Sequence, residues 1–207
     1  ADVDGVLALW QALAATPALA RLVSSILFIE QPIGRAAALQ RDVGALDSQR
    51  PVIIDESDAD LDAFVRACEL GYSGVSSKSC KGIYKSFINL ARCRVWNAEA
   101  GRERHFMSAE DLSVQVGLAL QQDLALASLL GVGHVERNGH YYVDGMAGLP
   151  AGEQRAFSSA HPDLYEFSQG QWRLRLDGGE MALDSLDCPG FASAAEPDWS
   201  ALKEIKA

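Results

Sequence analysis

The chain has 207 residues, 48% of them hydrophobic, which is enough for one ordinary domain with a sizeable core. Its formal net charge of −10 argues against a phosphate-binding surface, so no nucleic-acid partner is expected. No apolar run approaches the roughly 18 residues of a membrane span and no signal peptide is visible, so the expectation is an acidic cytoplasmic protein with no membrane partner.

Val6, Leu7, Trp10, Leu13 and Ala14 recur at helical spacing, and Leu19, Leu22 and Val23 resume it after Pro17. This predicts one helix interrupted or kinked at the proline. It leads into the apolar run Ile26-Leu27-Phe28-Ile29, which ends at Glu30. Ala36 to Ala45 reads as a short helix. A second run, Val52-Ile53-Ile54, ends at Asp55. Asp58 is the expected N-cap of a helix whose apolar stripe is Leu61, Phe64, Val65 and Cys68, stopping at Gly71. The third run, Gly74-Val75-Ser76-Ser77, ends at Lys78.

Ile83, Tyr84, Phe87, Ile88 and Ala91 mark a further helix, followed by a polar connector over 97–104. Phe106 to Ala109 is a fourth strand, and Asp111 or Ser113 is expected to cap a helix running to Gly131. His134-Val135-Glu136 is read as a fifth strand. From Val143 onward glycine, proline and aspartate become frequent. There Leu164–Phe167 and Trp172–Leu176 flank Ser168-Gln169-Gly170-Gln171, a hairpin signal, and Asp177-Gly178-Gly179 is a second turn. The expected organisation is therefore a strand–helix part over 1–142 and an irregular tail with a hairpin over 143–207. Cys68, Cys80, Cys93 and Cys188 show no C-x-x-C spacing and are expected as thiols.

Alternating strands and helices predict an α/β fold with a parallel sheet. The three chemistry-bearing residues, Glu30, Asp55 and Lys78, each end a strand. In a barrel of such units the strand ends converge on one face, where function sits. Alternation turns Ile26 and Phe28 inward with Glu30, Ile53 with Asp55, and Ser76 with Lys78; Met107 is also taken as inward. Two carboxylates and a lysine so placed suit a hard divalent cation and a proton-transfer base. The competing reading is of solvated strand-end acids, helix caps and a surface lysine.

Phe28-Ile29-Glu30-Gln31-Pro32, then Ile54-Asp55-Glu56-Ser57, then a strand-ending lysine, resembles the enolase superfamily, and within it the mandelate racemase and muconate lactonizing enzyme group. The resemblance implies part of a (β/α)8 barrel, with about five parallel strands corresponding to strands four to eight of a longer enzyme. It implies that Glu30 and Asp55 bind Mg²⁺ and that Lys78 moves a proton. Glu56 would orient Lys78 or a water, and Lys81 would hold a substrate carboxylate or be solvated. Glu136 would hydrogen-bond the enediolate, or pair with an arginine. Glu110, where the racemase branch has a histidine, is a possible polar contact, while His105 falls at the far end of its strand and is read as structural. The family's first metal-binding Asp, its strand-two lysines and its capping domain have no counterpart here.

The implied activity is a Mg²⁺-dependent lyase or isomerase step: abstraction of the α-proton of a small carboxylate by a dehydratase, racemase or cycloisomerase. The implied partners are an N-terminal part of the same enzyme or another copy of the chain, in a homo-oligomer, and the chain by itself is expected to be inactive. The alternative is a non-catalytic structural or interaction piece that keeps the strand-end residues.

Overall fold

A computed structural model describes residues 2–109, 114–137, 139–202 and 204. The chain forms two compact units, Ala1–Glu110 and Asp111–Ala207. This division lies upstream of the composition change near Val143.

The first unit opens with helix α1, Val3–Ala14, whose N-terminus is capped by the Asp2 carboxylate accepting from Gly5 N at 2.8 Å. Pro17 begins a short 3₁₀ turn, and helix α2, Ala20–Ser25, leaves at 92° to α1. Pro17 therefore divides the apolar pattern into two helices. Four short parallel strands follow: β1 (Ile29–Glu30), β2 (Val52–Ile54), β3 (Gly74–Ser76) and β4 (Phe106–Ser108), ordered β1-β2-β3-β4. Between them lie α3 (Gly44–Asp47), α4 (Ala63–Glu69) and α5 (Ile83–Ala100). Val52, Ile53 and Ile54 are fully buried, as expected of a strand covered on both faces.

The ladder fixes which side chains share a face. Glu30 pairs with Ile53, Ile53 with Gly74, and Gly74 with Phe106. Paired residues of a parallel ladder project to one side, and i±2 neighbours follow. Phe28, Glu30, Ile53, Asp55, Gly74, Ser76, Phe106 and Ser108 therefore share one face. The Phe28 and Phe106 rings meet on it, 5.8 Å between centroids. Gly74 is required there by close approach, because a Cβ would lie 2.8 Å from Ile53 Cγ2 and 3.0 Å from the Phe106 ring. Met107 pairs with Val75 and so lies on the opposite face. The inward assignment of Met107 is corrected to Phe106, one residue earlier, because a one-residue shift in phase exchanges the faces.

Several other expectations change. Of residues 134–136 only Val135 makes a β-bridge, so the described parallel sheet has four strands, and the expected fifth is reduced to one bridged residue. The 36–45 region is a series of turns, Gly34 O accepting from Ala37 N and Ala38 N, and becomes helical only at Gly44. Helix α4 starts at Ala63, so Asp58 does not cap it. Helix α5 continues through Asn97, whose amide ties the following loop: Oδ1 accepts from Arg104 N at 2.9 Å and His105 N at 2.7 Å. Asp111 and Ser113, the expected caps of the next helix, lie outside the described residues.

The second unit contains α6 (Leu118–Leu130), α7 (Ala151–Ala160) and the antiparallel hairpin β5 (Tyr165–Ser168) and β6 (Gln171–Leu174). The hairpin turn places Gln169 at φ 52° and Gly170 at φ 81°, the left-handed pair that a two-residue turn demands. Its core gathers Leu120, Leu124, Met146, Phe157, Leu164 and Tyr165. All four cysteines are free thiols. No single helix among the described residues is long and apolar enough to cross a membrane.

Candidate functional site

At the C-terminal ends of β1, β2 and β3 the chain brings together Glu30, Asp55, Glu56, Lys78 and Lys81. Glu30 closes β1, and Asp55 follows β2 on the same face. Gln31, at φ 23°, turns the chain out of β1, and its amide oxygen accepts from Asp55 N at 3.2 Å and Ser57 N at 2.9 Å. The Gln of the E-Q-P stretch thus locks the D-E-S loop against β1. One carboxylate oxygen each from Glu30, Asp55 and Glu56 lies within 4.8 Å of the other two. Asp55 is 1% exposed, whereas Glu56 is open to solvent.

Asp55 is the hub. Lys78 Nζ donates to its Oδ2 at 2.8 Å, and Lys81 Nζ donates to its Oδ1 at 2.6 Å. Burial by itself would raise the Asp55 pKa. The Lys81 charge and the hydrogen bonds from Lys78, Lys81 and Glu30 outweigh it, and hold this carboxyl well below the usual carboxylate range. Lys81 also donates to Asp55 O at 2.8 Å and Ser76 O at 3.0 Å. Its pKa is lowered by burial, against the opposing pull of Asp55 and Asp58.

Behind this group lies a second buried pair. Lys85 Nζ stands 2.9 Å from Asp58 Oδ2 and also donates to Asp58 O, and both residues are buried. Asp58 Oδ2 is 3.9 Å from Lys81 Nζ, so the two pairs join. The Ser76 hydroxyl, on the face shared with Glu30 and Asp55, is buried and makes no hydrogen bond among the described residues.

These groups suit a hard cation. The Glu30, Asp55 and Glu56 carboxylates stand close enough to repel one another, and a cation between them would relieve that repulsion. Three carboxylate oxygens so grouped could hold a metal ion, and an all-oxygen donor set is of the hard type.

Glu110 lies outside the described residues. Glu136 belongs to the second unit and is exposed. His105, just before β4, packs edge-on against Trp96 with its Nδ1 3.6 Å from Cys68 Sγ. Sequence reasoning missed Asp58 and Lys85 as a buried pair. A helix-cap position and one lysine in an amphipathic helix carry no signal that they meet. It gave the Ser76 hydroxyl no role, although alternation had already turned it inward.

Comparison with protein-family models, with curated proteins and with solved structures finds no match to this chain.

Proposed function

We propose that the first unit is part of a (β/α)8 barrel of the enolase type, and that its strand ends serve Mg²⁺-dependent abstraction of the α-proton of a small carboxylate. The observation that carries this reading is the Glu30–Asp55–Glu56 group with two lysine ammonium groups bonded to its buried member. Glu30 and Asp55 would hold the ion, and Glu56, whose carboxylate belongs to the same group, is available as a further ligand. When bound, the ion supplies the positive charge that an enediolate needs.

The chain's own residues account for the rest. Gln31 fixes the loop that carries Asp55 and Glu56. Lys78, on the sheet face shared with Glu30 and Asp55, is the base that takes the α-proton at its Nζ. An amine does so only as the neutral form, so the proton that Lys78 shares with Asp55 must leave before the base acts. The intact enzyme would be a dehydratase, racemase or cycloisomerase, active as a homo-oligomer or with the N-terminal portion of its barrel.

A second reading rests on the same hub. Two lysines closing on one buried aspartate also make a structural clamp across β2 and β3, with no catalysis. Proton exchange separates the two. The protein translated from the full reading frame is incubated with Mg²⁺ and a panel of 2-hydroxy carboxylates in D₂O, and α-deuteration is followed by NMR. The proposal expects Mg²⁺-dependent exchange that Lys78→Ala removes while the fold persists. Absence of exchange across the panel, with or without Mg²⁺, supports the clamp.

A further inference from the structure

Lys81 is placed unlike an acid–base group. An ammonium has three donors and no acceptor. Here the three go to Asp55 Oδ1, Asp55 O and Ser76 O, at 2.6, 2.8 and 3.0 Å. Two of these acceptors are backbone carbonyls at the ends of adjacent strands, so the amine is held by the fold as well as by charge. The Lys81 side chain is 12% exposed, with Asp58 Oδ2 3.9 Å away on its other side and Lys85 fixing Asp58 in turn. No donor is left over for a substrate carboxylate, and the amine is not solvated, the two roles expected of it from the sequence.

Resting on the cation reading above, we infer that Lys81 is a positioning residue and the resident counter-charge of the acidic group. It fixes the Asp55 carboxylate at the end of β2, and its charge weakens the hold of Glu30, Asp55 and Glu56 on a divalent ion. The site is thereby kept from closing around the metal as a tight, saturated cage. Lys78 remains as the amine directed at chemistry. Removing the Lys81 charge leaves Asp55 oriented by Lys78 at Oδ2 and by its own buried backbone, so the loss of repulsion dominates.

The test is Mn²⁺ binding to the full chain, read by electron paramagnetic resonance, in wild type, Lys81→Gln and Lys81→Arg, with thermal unfolding measured alongside. Lys81→Gln should bind Mn²⁺ more tightly by about fivefold or more while melting at lower temperature. Lys81→Arg, which keeps the charge, should bind within about twofold of wild type. If Lys81→Gln melts lower but binds Mn²⁺ equally or less tightly, Lys81 is structural only and the inference fails, while the cation reading stands. If neither wild type nor Lys81→Gln binds Mn²⁺, the cation reading fails and this inference falls with it.

Discussion

Asp55 concentrates the energetics of the site in one side chain. It is 1% exposed and faces two ammonium groups at 2.8 and 2.6 Å. Removing one member of a buried ion pair leaves its partner without compensation, at a cost of roughly 3–5 kcal/mol. Asp55→Asn should therefore lower stability to chemical denaturant at pH 7 by about 3 kcal/mol or more. The folded carboxyl titrates below its ordinary value of 3.8, so the unfolded chain binds the proton first as the solution is acidified. The stabilisation is complete above that ordinary value and is lost as the pH falls through the folded one. The gap between wild type and Asp55→Asn should accordingly shrink below about pH 4. A gap that stays constant down to pH 2 would show that the lysines do not hold Asp55 as described.

At the scale of the element, β3 shows what the sequence reveals and what it hides. Its alternation was legible: Ser76 and Lys78 were expected inward, and the ladder places Ser76 on the face of Glu30 and Asp55. The same rule misassigned β4, because Phe106 and Met107 are both apolar and nothing local distinguishes their phase. Only the pairing of Gly74 with Phe106 settles it. Gly74 itself was read simply as the start of a strand, whereas it is the gap into which Ile53 and Phe106 close. Gly74→Ala should overpack this row and cost about 1–3 kcal/mol in denaturant unfolding. An unchanged or raised stability would mean that the row has room for a methyl group. The turns at 34–40 were hidden for another reason: their alanines favour a helix, but hydrogen bonding there runs through successive turns from Gly34 onward.

Across the molecule, the strand–helix rhythm was enough to place Glu30, Asp55 and Lys78 together, since evenly spaced strand ends in a parallel sheet meet at one edge. The buried Asp58–Lys85 pair was not legible, because long-range ion pairs leave no periodic trace. Glu56 was readable as a neighbour of Asp55, but its membership of the carboxylate group depends on the loop that Gln31 ties down. The second unit carries its own core, and its hairpin was legible from the Gln169-Gly170 turn. The function proposed for the first unit depends on its acidic group taking a divalent ion. The most direct measurement is a Mg²⁺ titration of the full chain by isothermal calorimetry, repeated on Glu30→Gln and Glu56→Gln. One saturable site is expected, no tighter than the high-micromolar range because the lysines already share Asp55, with loss of that site in Glu30→Gln. No saturable binding in the wild type, or binding that Glu30→Gln leaves intact, would contradict it.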